Sequence, residues 1–226
     1  MKLRKIFVWD LKFQARYGFY LFYGLLTALY LVILLSLPSD MRQTAASIFI
    51  FSDPAAMGLF FMGAIILLEK SQKVTSYFAI SPLKASEYIA SKIISLNVIA
   101  LVVAAVLGII AEHKNLPMML IGTVISSIFF TLLGIIIATK ISSLNQFLLA
   151  TLPVEILAFV PAILHLFRVT PSALAVYPVN TFIDLIAGNS FSVIGLVLGI
   201  ILNVLLFFIT KKCVMKMWIS MGGVKL

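Results

Sequence analysis

Charge is scarce in this chain, and acid scarcer still: 11% of its 226 residues are charged, with eight Asp and Glu against seventeen Lys and Arg. A soluble domain carries about a quarter charged residues. The 62% apolar content and mean hydropathy of +1.16 therefore exclude an ordinary water-soluble globule. The single cysteine, Cys213, rules out an internal disulfide and a thiolate metal cluster; it reads as a small, partly buried residue. The two histidines, His113 and His165, lie far apart in the chain, without a set of carboxylates beside them, so no metal site is expected. No Walker-type glycine loop is present, and Gly222-Gly223 has no helix after it, so the chain is not expected to hydrolyse ATP alone. No serine has a plausible base, which leaves no catalytic residue to name and argues against an enzyme.

What is abundant is apolar sequence in runs of about twenty residues, the length a helix needs to cross roughly 30 Å of hydrocarbon. Six such runs are expected at about 17–38, 48–68, 93–111, 118–139, 148–167 and 191–210. The fold class is thus an all-α membrane protein, with 1–226 forming a single transmembrane domain and nothing left over for a soluble one. The first run follows a sixteen-residue basic arm without a convincing cleavage site, so it is expected to be retained rather than removed as a signal peptide.

The net charge of +9 invites a nucleic-acid reading, but the cations sit at the ends of the runs and form no groove-reading face. Topology explains them better. Fourteen of the seventeen fall in residues 1–16, 69–92, at Lys140 and in the tail that ends with Lys225, whereas Arg42, Lys114 and Arg168 fall on the other side. The positive-inside rule then places both termini and the 69–92 segment in the cytoplasm of a multi-pass cell-membrane protein, with lipid but no nucleic acid as partner.

Local patterns add detail. Over residues 1–16, Ile6, Trp9, Phe13 and Tyr17 recur at helical spacing while Lys5, Lys12 and Arg16 line another face. This suits a helix lying on the membrane surface with Trp9 at headgroup depth; a plain basic arm is the alternative. Asp53-Pro54 suggests a helix starting at Pro54 capped by Ser52 or Asp53, with 48–52 as an outer approach segment. Asp53 also stands as a candidate for a transport path. In 69–92, Glu69-Lys70 closes the second run, a short helix carries Val74, Tyr77 and Phe78, and Ser81-Pro82 reads as cap and first residue of the next helix. That short helix is either a docking surface or an aromatic belt in the membrane interface.

Small residues four apart, such as Ala104 and Gly108, Gly122 and Ser126, Gly134 and Ala138, and Gly195 and Gly199, permit close helix packing within a bundle or a dimer. The fifth run contains Pro153 and Pro161, which imply a kink or a break. It also contains Glu155, an acid that should face the bundle interior, a partner chain or water, or else sit at the interface. Residues 168–190, with Tyr177-Pro178, are too short to span twice and read as an outer re-entrant or gate-like segment.

Together these residues resemble a known family. The run from Glu69-Lys70 through Ser81-Pro82-Leu83 to Glu87-Tyr88 and Lys92, after a basic amphipathic arm and within six spans, resembles the permeases of type-2 ABC exporters. Trp9-Asp10 through Arg16-Tyr17-Gly18-Phe19-Tyr20, and Ser52-Asp53-Pro54 through Gly58 to Glu69-Lys70, look like the branch of fluoroquinolone-export permease subunits. The resemblance implies a connecting helix at 1–16, and a coupling helix near 70–80 that docks on a separate ATP-binding subunit through Glu69, Lys70, Lys73, Tyr77, Phe78 and Pro82. It implies no cofactor in this chain, ATP and Mg being bound by that subunit. It also implies a second permease copy, identical or not, and outer elements around Tyr177 and Pro178. The cargo would be a hydrophobic or amphiphilic small molecule moved outward. Charge reversal at Glu69, or replacement of Tyr77 and Phe78, would then uncouple transport without unfolding the bundle. An ion- or proton-coupled secondary transporter would want several intramembrane acids, for which Asp53 and Glu155 are the only candidates. A noncatalytic scaffold or immunity-type protein is a third reading.

Overall fold

The computed structural model describes residues 2–221, and among these every regular element is helical; Gly222, Gly223 and Lys225 lie outside the described residues. In chain order the helices are α1 (Lys2–Arg16), α2 (Phe19–Ser36), α3 (Ser39–Ser52), α4 (Met57–Ser71), α5 (Val74–Ile80), α6 (Ala85–Ile110), α7 (Leu116–Lys140), α8 (Leu144–Leu166), α9 (Pro178–Ala187) and α10 (Val193–Met221). A 3-10 turn at Ser172–Val176 precedes α9. Six stretches are long and apolar enough to cross a membrane: α2, α3 with α4 over Ser39–Ser71, α6, α7, α8 and α10. An even number of crossings puts the two ends of the described chain at one face, called here the basic face.

Several boundaries differ from the sequence expectation, each for a local reason. The second span starts at Ser39, and the expected approach segment is the end of a full helix, α3. Pro54 does not open a helix; it lies in a break over 53–56, and α4 begins at Met57 without a side-chain cap. Across the break the Ala55 amide donates to the Ile50 carbonyl at 2.8 Å, which bridges the end of α3 to the turn before α4. The helix expected to open at Pro82 starts at Ala85 and is continuous with the third span, expected from 93. Its first turn is closed by Glu87, whose carboxylate accepts the Lys84 amide at 3.0 Å, while Ser81 accepts the Leu83 amide at 3.3 Å and so shapes the preceding turn. The fifth span is unbroken: α8 runs through both Pro153 and Pro161.

The centre of the bundle is the crossing of α4 and α7, which is close because glycine faces backbone on both sides. A Cβ at Gly58 would lie 2.6 Å from the Thr131 Cα, and one at Gly134 would lie 2.4 Å from the Gly58 carbonyl oxygen. The other small residues are filled from within the same chain as well: Gly122 by Leu185, Gly195 by Thr181 and Gly199 by Phe182. Phe130 and Phe159 stack with centroids 5.4 Å apart, and Phe51 packs edge-on against both, binding α3, α7 and α8. At the far face α9 is buried from Val179 to Ala187, and ten residues of helix span only about 15 Å. It enters from the far face and stops within the bundle.

At the basic face Lys70 reaches from α4 to the end of α7. Its ammonium donates to the carbonyls of Ala138 at 2.8 Å, Thr139 at 3.3 Å and Ile141 at 2.7 Å. A cation over orphan carbonyls also complements the helix dipole. Because Lys70 is partly exposed, Lys70→Met should cost only about 1 kcal/mol. That corresponds to roughly fivefold faster amide exchange in the last turn of α7, measured by hydrogen exchange, with Lys70→Arg close to the parent. Unchanged exchange in Lys70→Met would mean the carbonyls are satisfied otherwise.

Candidate functional site at the basic face

Two turns into α6 from its start, Lys92 is 1% exposed and stands between two carboxylates from different helices. Its ammonium donates to Asp10 Oδ1 of α1 at 2.6 Å and to Glu69 Oε1 of α4. The remaining oxygens are also engaged: Tyr88 donates to Glu69 Oε2 at 2.6 Å, and Ser91 donates to Asp10 Oδ2. One turn deeper, Gln14 donates to Ser95 Oγ at 2.9 Å. Buried charge is tolerated only when paired and fully hydrogen-bonded, and this network meets that condition. It fastens α1, α4 and α6 at one point.

Aromatic rings close the network from the basic face. The Lys92 ammonium lies 5.3 Å from the Trp9 ring centroid and 5.1 Å from that of Tyr88, within cation–π range. Phe78, from the short helix α5, reaches the same place: its ring is 6.3 Å from Trp9, 5.5 Å from Tyr88 and 5.9 Å from Trp218 of α10. α5 is thereby packed against rings from α1, α6 and α10 around Lys92. Lys73, the residue before α5, holds a left-handed φ of 57°, a conformation costing a non-glycine residue roughly 1–2 kcal/mol. Gln72 donates to the Tyr17 hydroxyl at 2.6 Å, tying the α4 end to the α1–α2 junction, where Gly18 supplies a φ of 77°.

The residues singled out in the sequence divide between inside and outside. Glu69 is wholly buried, Lys70 is spent on α7, and Phe78 packs inward. Tyr77 is 66% exposed, and Lys73 and Pro82 are exposed beside it. On α1, Lys5, Lys12 and Arg16 face outward and Trp9 is at the rim, while Asp10, Phe13 and Gln14 form the buried face. Asp10 entered the sequence reading only within the Trp9-Asp10 match and was given no role there. The available signal was spacing: Asp10 and Gln14 are four apart on α1, as are their partners Ser91 and Ser95 on α6.

Elsewhere, Asp53 accepts from the Tyr23 hydroxyl at 3.5 Å at the break in the second span. Glu155 is half-buried midway along α8 and makes no hydrogen bond or ion pair among the described residues. At the far face Tyr177 donates to the Leu157 carbonyl at 3.0 Å, and Pro178 opens α9. His165 bridges Thr170 at 2.9 Å and Asp184 at 3.0 Å. Among the described residues no cluster of three or more His, Cys, Asp or Glu side chains is arranged to hold a metal.

Two Mycobacterium tuberculosis proteins, from strains CDC 1551 / Oshkosh and ATCC 25618 / H37Rv, are each called a fluoroquinolones export permease protein. Each is 29% identical to this chain over 163 residues, covering 69% of this chain and 67% of the relative. The family model of the fluoroquinolones export permease proteins matches residues 1–220. The chain is a multi-pass membrane protein that belongs to the fluoroquinolones export permease protein family.

Proposed function

We propose that this chain is the membrane subunit of an ATP-driven exporter, a single permease domain over 1–226 with no ATPase site of its own. A separate cytoplasmic subunit binds ATP and Mg, and a second permease copy completes the path. Both termini and the 69–92 segment face the cytoplasm of the cell membrane, as the distribution of Lys and Arg supports. The cargo is a hydrophobic or amphiphilic small molecule, and a fluoroquinolone, named in the relatives, is the first to assay.

The observation that carries this reading is the division of labour on α5. Tyr77 is 66% exposed on a helix whose neighbouring residue, Phe78, is inserted among Trp9, Tyr88 and Trp218. Closure of the ATPase subunits against Tyr77, Lys73 and Pro82 would push Phe78 onto the Lys92 network and tilt α1, α4 and α6 together. Glu69 and Lys70 serve this coupling from inside, by holding the spans that α5 moves. The basic face of α1, with Lys5, Lys12, Arg16 and Trp9, rests on the lipid surface. Glu155, an unpartnered acid at mid-span, faces the second copy or the aqueous path, and Tyr177 and Pro178 form the outer gate where α9 enters.

The test is purification of the tagged chain in mild detergent with identification of its companions. A stoichiometric ATP-binding subunit with ATPase activity is expected; a lone, ATP-silent oligomer would favour a proton-coupled transporter. Within the complex, Tyr77→Ala should reduce capture of the ATPase subunit about tenfold or more, as for an exposed aromatic anchor, without moving the thermal midpoint. Phe78→Ala should instead lower stability by about 2 kcal/mol. Equal capture by Tyr77→Ala and the parent would remove α5 as the docking element.

A further inference from the structure

The break in the second span leaves a carboxylate in an unusual position. Asp53 sits at the level of the middle of α2, where it meets Tyr23 and Tyr30, two turns apart and so separated by about 10 Å along that helix. The Tyr23 hydroxyl donates to Oδ1 at 3.5 Å, and the Tyr30 hydroxyl faces the same carboxylate. Oδ2 is buried and, among the described residues, has no hydrogen-bond partner. A carboxylate oxygen left bare at mid-span is costly unless a donor or a cation completes it. No lysine, arginine or histidine is paired with Asp53 among the described residues.

Its surroundings are suited to a cation carried by an apolar body. Phe49 stacks on Tyr30 with centroids 4.7 Å apart, and Phe61 lies 5.5 Å from Tyr23, so the carboxylate's two tyrosine neighbours belong to an aromatic cluster. Tyr23 also lines a groove of about 360 Å³ between α2 and α6, floored by Gly24, Thr27 and Val102 among other small or apolar side chains. Nothing lies within 4 Å of a Cβ built on Gly24, so the groove is open where the chain lacks a side chain.

We infer that Asp53, with Tyr23 and Tyr30, is a recognition site for the protonated amine or onium group of an amphiphilic cation whose apolar body lies in the α2–α6 groove. This deepens the export reading and rests on it, since it assigns the class of cargo. The groove supplies area without selectivity, and the carboxylate supplies the choice of charge.

The test uses the full chain in phosphatidylcholine nanodiscs and equilibrium binding of tetraphenylphosphonium and of neutral triphenylphosphine oxide, with empty discs subtracted. The parent should bind the cation at least tenfold more tightly than the neutral probe. Asp53→Asn should lose about tenfold for the cation and leave the neutral probe unchanged, Asp53→Glu should retain cation binding within about threefold, and Gly24→Leu should weaken both probes. Equal binding of the two probes by the parent, or cation binding by a folded Asp53→Asn variant equal to the parent, overturns the assignment. If Asp53→Asn does not fold, the parent's probe preference and Gly24→Leu still decide. Co-purification of an ATPase subunit is measured separately, so failure here leaves the export reading standing, and the converse holds as well.

Discussion

Replacing Lys92 with methionine should cost about 3–5 kcal/mol, the range found when one partner of a buried ion pair is removed. Methionine fills much of the same volume, so packing contributes little to that figure. The loss is electrostatic: Asp10 and Glu69, 1% and 0% exposed, would face one another without the ammonium that now separates them. Protonation of one acid relieves part of the strain but leaves the other without its strongest donor. The charge-neutral triple variant Asp10→Asn, Glu69→Gln, Lys92→Met should recover most of the stability, because neutral replacement of a whole buried ionic cluster is often harmless. Denaturant unfolding in micelles measures both. A Lys92→Met variant within about 1 kcal/mol of the parent would show that the network is not the fastening point described above. The same geometry revises the expectation for Glu69: charge reversal there puts a second cation beside Lys92 inside the bundle, so it should unfold the protein rather than merely uncouple it.

Gly58→Val and Gly134→Leu should each destabilise by at least about 3 kcal/mol, the upper end of ordinary overpacking. The reason is which atoms are struck. A Cβ at Gly58 would lie 2.0 Å from Thr131 Oγ1 and 2.6 Å from Thr131 Cα, and one at Gly134 would lie 2.4 Å from the Gly58 carbonyl oxygen. A hydroxyl can rotate away, whereas a backbone carbonyl and Cα cannot. The α4 and α7 axes must separate, and every contact along their crossing loosens with them. Gly24→Ala is the control, since its Cβ meets nothing within 4 Å and alanine favours helix by up to about 1 kcal/mol. Thermal midpoints and monodisperse yield distinguish the three variants. A Gly58→Val protein as stable as Gly24→Ala would mean that the crossing is not close.

Much of the architecture was legible because lipid imposes a simple rule: runs of Leu, Ile, Val and Phe long enough to cross must be helices, and Lys and Arg collect at one face. The errors share a cause. Treating charged residues as markers of span ends placed the third span after Lys92, whereas α6 starts at Ala85 and carries Lys92 into the bundle. Of the kink or break expected from Pro153 and Pro161, the break does not occur: both lie inside α8, where other atoms can accommodate the missing amides. The site was half legible. Glu69 and Phe78 were marked by their place in the 69–92 segment, but not that they face inward: Glu69 read as the polar end of a span, and the seven-residue helix of Phe78 has too few turns to show which side is buried. Asp10 was hidden among the cations of a basic arm, and only matched spacings on two helices distant in sequence would have revealed it.

The ionic node also bears on how the protein is made. Asp10 precedes Lys92 in the chain by 82 residues and Glu69 by 23, so until Lys92 is made two acids destined for burial lack this counter-charge. The node can close only once Lys92 has been made, so α1 and α4 cannot be tied to α6 through it before then. The order of synthesis thus sets the earliest point at which these three helices can be tied together, before α7 to α10 have been made.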